Sequence, residues 1–334
     1  MAGLDEKLKK ALKSREDRSM LRRLPTGGSL TDFCSNDYLS LASNSQLRTY
    51  FLKELSKHEK ILGSTGSRLL VEAPEHEALE TRLASYFHAP AALLFNSGFD
   101  ANVGFFAAVP QRGDVILYDE YIHASVHDGM RSSLARDSTW PFKHNCLDSL
   151  KYILETLMED RPGIRRGHSS VFVSVESLYS MDGDFAPLQQ IVELVELMLP
   201  QGNGHVIVDE AHSTGLYDGG RGIVSMLGLE TRVTARLHTF GKALAGSGGP
   251  LFSFSYFSHL LKFTSAVILT SPLIRDYLVN YARPLIYTTA MNYSSVINIK
   301  CSFDMLEGDI GKQVARSFCF SLSLAELLCS CQHI

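Results

Sequence analysis

The sequence predicts an α/β fold on a mainly parallel sheet with helices on both faces. Two observations carry that expectation. First, the runs AALLFNSG (91–98), DVILYDE (114–120), SSVFVSVES (169–177), HVIVDEAH (205–212) and ARLHTFGKALAG (235–246) are nearly continuous in their apolar residues, as strands buried on both faces are. Second, helical stretches separate the runs, which is the spacing of crossover units and not of hairpins. With 334 residues, 45% of them apolar and 20% charged, the chain can bury a large core and does not read as disordered.

Taken in order, residues 4–23 read as one amphipathic helix marked by Leu4, Leu8, Leu12 and Leu21, stopped by Pro25, Gly27 and Gly28. A strand-and-turn segment, DFCSNDYLSLAS, follows, and then the glycine-bearing GSTGSRLL. A helix starts at Pro74, which suits a first helical position, and runs through EHEALETRLASYFH. Another opens at Pro187 with PLQQIVELVELML. This reading divides the chain into residues 1–50 (helix and strand segment), 51–290 (a large ligand-binding domain) and 291–334 (the start of a smaller domain).

Composition excludes several partners. A net charge of −4 without charge blocks leaves no basic footprint, so no nucleic acid is expected. Six cysteines without a C-x-x-C pair form neither a disulfide framework nor a zinc site. Reduced thiols point to a cytoplasmic protein. The start, MAGLDEKLKKALKSREDR, lacks the apolar core of a signal peptide. Residues 251–274 are apolar, but His259, Lys262, Pro272 and several serines interrupt them, so no membrane span is expected.

In open α/β sheets ligands bind at the carboxyl ends of the strands. Asn96, Ser97, Gly98, Glu176, Asp209, His212 and Lys242 stand at or just past those ends. Each has an ordinary explanation when taken singly. Asp209 could cap a turn, Lys242 could be a solvated charge, His123 in IHASVHDG could be a partly buried ring, and most turns like Asn96–Phe99 bind nothing. Together they form a chemical set. A helix start with exposed N–H groups suits a phosphate. A histidine flanked by small residues can lie on a planar ring. An acid can keep a pyridine nitrogen protonated, and a lysine set among small residues can take an aldehyde. These are the needs of pyridoxal phosphate.

The order of the motifs adds to this. FCSNDYLSLAS, GSTGSRLL, LLFNSGFDAN, YDEYIHAS, SLYSMDGDFAPL, VIVDEAHSTG, GRGIVSMLG, HTFGKALAGSG and RPLIYTTAM follow one another in a sequence that resembles the α-oxoamine synthases. The likeness covers roughly residues 5–249 and 266–315. It implies the type I, aspartate-aminotransferase-like fold of pyridoxal phosphate enzymes, with a three-layer α/β/α large domain and an incomplete small domain. By resemblance, Lys242 is the lysine that holds the cofactor, Asp209 the acid on its pyridine nitrogen, His212 the partner of its phenolic oxygen and His123 the stacking ring that also guides the substrate carboxylate. Ser97, Gly98 and Phe99 fall at the phosphate, and Ser180 and Thr239 at polar cofactor contacts. Glu176 and Asn36 line the site. Thr288 and Thr289 match a segment that reaches the partner subunit's phosphate, which implies a homodimer with shared sites. The implied reaction is a decarboxylating condensation of an amino acid with an acyl-CoA, with Lys242 as the base for the α-proton.

Within that family the start ALKSREDRSMLRR is similar to enzymes that take a pimeloyl thioester and L-alanine on the way to biotin. Arg22 falls where that group has an arginine for the acyl chain's distal carboxylate. Glycine C-acetyltransferase and sphingoid-type transferases are the alternatives, and an inactive truncated product or partner subunit is the reading from another class. Two departures stand out. Residues 250–265 interrupt GKALAGSGG–AVILTSP, read as a retained intron or gene-model error, and are expected to disturb the pairing of the strand that follows. The likeness fades after GDIGKQVARSF, so most of the small domain, with its carboxylate-binding arginine, is expected to be missing.

Overall fold

The computed structural model describes residues 2–23, 32, 34–246 and 265–308. They fall in two compact units, one holding residues 2–23, 32 and 34, the other holding 35–246 and 265–308. The first unit contains helix α1 (Ala2–Asp17), whose Leu4, Leu8 and Leu12 are exposed. The helix stops before the predicted Arg23, because Ser19 turns the chain with φ 54°. Cys34, at the end of this unit, lies in the segment expected to hold a strand, and no strand forms among its described residues.

The second unit runs α2 (Ser45–Leu55), α3 (Pro74–Tyr86), β1 (Ala91–Phe95), α4 (Gly98–Ala108), β2 (Val115–Asp119), α5 (Ala124–Ser132), β3 (Thr139–Phe142), α6 (Leu147–Asp160), α7 (Pro162–Arg165), β4 (Val171–Glu176), α8 (Leu188–Met198), β5 (Gly204–Asp209), α9 (Ile223–Met226), β6 (Ala235–Thr239), β7 (Ala266–Thr270), α10 (Pro272–Tyr281), α11 (Arg283–Ile286) and α12 (Tyr293–Glu307). The strands form one seven-stranded sheet in the order β1-β7-β6-β5-β4-β2-β3. All pairs are parallel except those of β7, which runs antiparallel to both neighbours.

The continuous apolar strands are explained by their two buried faces. Val115, Leu117, Val173, Val206 and Val208 pack under α6 and α8. The alternate residues Ile116, Phe172 and Ile207 pack on the other face with Phe105 and Phe106 of α4, Val126 of α5 and Leu278 of α10. At the β1–β7 end, Leu94 and Val267 are covered by Phe51 of α2, Leu83 of α3 and Phe303 of α12. Period 2 sends successive residues to opposite layers, and a layer of helices covers each.

Two expectations change here. Helix α12, read from sequence as the opening of a separate small domain, is packed into the large unit. Tyr50 donates to Asp304 Oδ2 at 2.8 Å, and Arg82 pairs with Asp304 at 2.7 Å and Glu307 at 2.8 Å. Helix α2 likewise crosses the expected boundary at 50/51. The strand after the insert is undisturbed, since β7 keeps its five-residue register with both β1 and β6. The reason lies at the insert's flanks. Ser265 Oγ donates to Gly246 O at 2.7 Å and Phe240 N–H donates to Ser265 O at 2.8 Å, so the chain leaves and re-enters at one place. Residues 247–264, which hold most of the insert, and 309–334, which hold the divergent tail, lie outside the described residues.

Candidate active site

The carboxyl ends of β1, β4, β5 and β6 surround a cavity of about 160 Å³ lined by Gly98, Phe99, Asn102, His123, Glu176, Asp209, Ala211, His212, Leu237, Thr239 and Lys242. The strand periodicity explains this convergence. Val206 and Val208 face the α6–α8 layer, so Ile207 and Asp209 face α4. Asp209 is buried, as is Glu176, its in-register partner on β4.

Asp209 has an ordered set of donors. Its Oδ1 accepts Ala211 N–H at 2.9 Å and its Oδ2 accepts Asn102 Nδ2–H at 2.8 Å. Lys242 Nζ lies 2.7 Å from His212 Nε2, and His212 Nδ1 lies 2.8 Å from the Tyr38 hydroxyl. Tyr38 in turn donates to Asn36 Oδ1 at 3.0 Å. With the lysine as donor, the chain runs one way, from Lys242 through His212 and Tyr38 to Asn36. Burial pushes His212 down to about 3, with the neighbouring Lys242 charge adding to it, so the ring is neutral. Burial also lowers Lys242, against the pull of Asp209 and Glu176. Glu176 is pushed up to about 8, first by burial and then by the Asp209 carboxylate.

Gly98 opens α4 beside β6. A Cβ there would stand 2.5 Å from Thr239 Cγ2, so only glycine lets the helix start approach the strand. Ser97 is the N-cap of α4: its Oγ accepts Asp100 N–H at 2.9 Å and donates to Asp100 Oδ2 at 2.8 Å. The first N–H groups of a helix have no intrahelical partner and favour an anion.

The sequence-chosen residues therefore divide. Lys242, Asp209, His212, His123, Glu176, Thr239, Gly98 and Phe99 meet at the cavity. Ser97 caps the helix beside it, and Asn36 reaches it only through Tyr38. Ser180 is exposed in the turn after β4. Thr288 and Thr289 gather around Asn96, which donates to Thr289 O at 2.8 Å and to Thr288 Oγ1 at 3.4 Å, outside the cavity lining. Arg22 is exposed beyond α1, in the first unit. Sequence reasoning missed Asn102 and Tyr38. Asn102 is buried on a helix face otherwise made of Ala101, Phe105 and Phe106, and an asparagine on such a face was the available signal.

The described residues fit pyridoxal phosphate: an amine inside a cavity, an acid on its floor, a neutral histidine beside the amine and a helix start at its edge. The family model described as aminotransferase class I and II matches residues 29–299. The chain belongs to this family.

Within the aminotransferase family its relatives are α-oxoamine synthases. The chain is 44% identical over 308 residues to an 8-amino-7-oxononanoate synthase of Emericella nidulans, covering 91% of this chain and 70% of that protein. It is 40% identical over 282 residues to the aminoacyl transferase sphA of Aspergillus fumigatus, covering 84% of this chain and 56% of that protein. The solved serine palmitoyltransferase of Sphingomonas wittichii superposes with a TM-score of 0.67 at 26% identity, over 81% of this chain and 60% of that one. This aminotransferase-family chain thus spans between about half and three quarters of the length of the proteins it matches. No helix among the described residues is long and apolar enough to cross a membrane.

Proposed function

We propose that this chain catalyses the decarboxylating condensation of a small amino acid with an acyl thioester, with pimeloyl thioester and L-alanine as substrates, the reaction of an 8-amino-7-oxononanoate synthase in biotin formation. The observation that carries the reading is the Lys242 amine, held in a cavity between Asp209, Glu176 and His212. The 44% identity to a synthase of that name supports the choice of substrates. The likeness to a solved serine palmitoyltransferase supports a serine palmitoyltransferase-like condensation as the second reading.

Lys242 would hold the aldehyde of pyridoxal phosphate, Asp209 its ring nitrogen, His123 its ring face and His212 its phenolic oxygen. The N–H groups of Gly98 and Phe99, with Ser97 and Thr239, would hold its phosphate end, and Ser180 and Glu176 would line the pocket. Thr288 and Thr289 would reach the phosphate in a partner subunit, which makes the working form a homodimer in the cytoplasm. When bound, the cofactor supplies an electron sink for charge formed at the substrate Cα. The chain's own part is acid–base chemistry. The depressed pKa of Lys242 favours the neutral amine that can remove the α-proton. Neutral His212 accepts a hydrogen bond from that amine and keeps its nitrogen in place. Asn36 would contact substrate.

Borohydride reduction after addition of pyridoxal phosphate, followed by peptide mass mapping, tests this reading. A pyridoxyl group on Lys242 is expected, with CoA released from pimeloyl-CoA in the presence of L-alanine. Soluble protein with no adduct on Lys242 would overturn it.

A further inference from the structure

A hydrogen-bonded chain of four side chains joins two walls of the cavity. Ser125 N–H donates to His123 Nδ1 at 3.2 Å, and Ser125 Oγ lies 2.7 Å from the same nitrogen. Asn102 Nδ2 lies 3.0 Å from Ser125 Oγ and 2.8 Å from Asp209 Oδ2. Asn102 and Ser125 are both buried.

The directions in this chain follow from donor chemistry. A backbone N–H only donates, so His123 Nδ1 presents its lone pair and carries no proton. The Ser125 hydroxyl therefore donates to it as well. Its oxygen then accepts one Asn102 Nδ2 hydrogen, and the other goes to Asp209, which as a carboxylate only accepts. Each donor within the chain has an acceptor, and the chain reads in one sense. Buried networks of this kind specify one arrangement, because a donor left without an acceptor is costly.

We propose that Asn102 and Ser125 are positioning residues that fix His123 as its neutral Nε2–H tautomer and tie it to Asp209. The stacking ring and the acid at the ring nitrogen are then set as one unit. The roles of His123 and Asp209 rest on the function proposed above, whereas the tautomer rests on hydrogen-bond directions alone. The ring keeps one donor, Nε2–H, for an anionic group of a bound substrate. Helix α5 starts at the residue after His123, so the ring that caps the helix and the ring that meets the ligand are the same.

Ring ¹⁵N spectra of histidine-labelled, cofactor-free protein test the proposal, with His123 assigned through His123→Gln. The expected result is a proton on Nε2 and a bare Nδ1. Ser125→Ala should move the Nδ1 resonance, and Asn102→Ala should move it the same way by less, although Asn102 does not touch the ring. Ser125→Thr should restore it. Asn102→Ala should also bind pyridoxal phosphate about tenfold more weakly, since Asp209 loses a buried donor. A proton on Nδ1 of the parent protein would overturn the proposal, as would an unchanged His123 spectrum in both alanine variants. If Asn102→Ala does not fold, the Ser125 pair decides alone. The spectra need no cofactor, so failure of the Lys242 adduct would sink the proposed function and leave this readout standing.

Discussion

On one face of the β5 end, Asp209 looks into the cavity; on the other, Glu210 looks into the protein. Asp209 accepts one backbone and one side-chain hydrogen bond and lines open space. Glu210 is fully enclosed. It accepts Ile223 N–H at 2.9 Å, Val224 N–H at 2.7 Å and Ser177 Oγ–H at 3.2 Å, and Ser213 Oγ–H as well. A Cβ on Gly222, whose φ is 97°, would collide with its carboxylate. Two adjacent acids of like chemistry thus have opposite tasks. The saturated one caps α9 and ties it to the turn after β5. The unsaturated one is held in place with room left for a ligand.

The largest effect should come from exchanging those tasks by mutation. Glu210→Ala leaves the Ile223 and Val224 N–H groups and the Ser177 hydroxyl buried without the carboxylate they share, and should lower stability by about 3–5 kcal/mol in urea unfolding. Asp209→Asn keeps its one oxygen for Asn102 but turns an NH2 toward the Ala211 N–H, and should cost about 1–2 kcal/mol in the same assay, less than the Glu210 change. Its turnover with pyridoxal phosphate should fall roughly 100-fold or more. Equal loss of stability in both variants would erase the distinction between the faces.

Glu176 sharpens the comparison, because it is a cavity acid that burial keeps protonated. The sign follows from its raised pKa. Below the ordinary value of 4.5, folded and unfolded chains both hold the proton; between 4.5 and about 8 only the folded chain does, so stability falls as pH rises and levels off above that range. Glu176→Gln removes this dependence. In cofactor-free protein its stability advantage over the parent should grow by about 1–3 kcal/mol between pH 5 and pH 9. A constant difference across that range would mean that Glu176 is ionised throughout.

The smallest effect should come from the insert. Replacing residues 247–264 by a short glycine linker should change stability by less than about 1 kcal/mol, because loop closure depends weakly on length and Gly246 and Ser265 already meet. A large loss, measured by thermal unfolding, would show that the segment carries part of the fold.

Much of the site was legible because strand ends converge by rule. Asp209, His212, Lys242, Glu176 and Gly98 each close a buried run, and one sheet brings such ends together. Asn102 and Tyr38 were hidden for the opposite reason. Asn102 sits mid-helix, marked only by being an asparagine on an apolar face, and Tyr38 lies in an irregular segment 174 residues from the His212 it meets, where no local pattern marks it. Strand β3 was missed because TWPF, a single residue buried in four, carries too little apolar signal. Helix α12 was assigned to another domain because sequence likeness, and not packing, drew that boundary. Glu210 was passed over beside Asp209, since a sequence does not say which face each acid serves.

The place of β7 has a consequence for synthesis. Among the described residues it is the last of the seven strands along the chain, yet it is the only neighbour of β1 at the sheet's edge. While the chain emerges from the ribosome, residues 91–95 must wait for residues 266–270 before they can pair. The wall carrying Gly98 and the wall carrying Lys242 are therefore joined late, after residues 247–264 have already been made. A nascent chain halted before residue 266 would hold the lysine and the acid, and an edge strand with no partner.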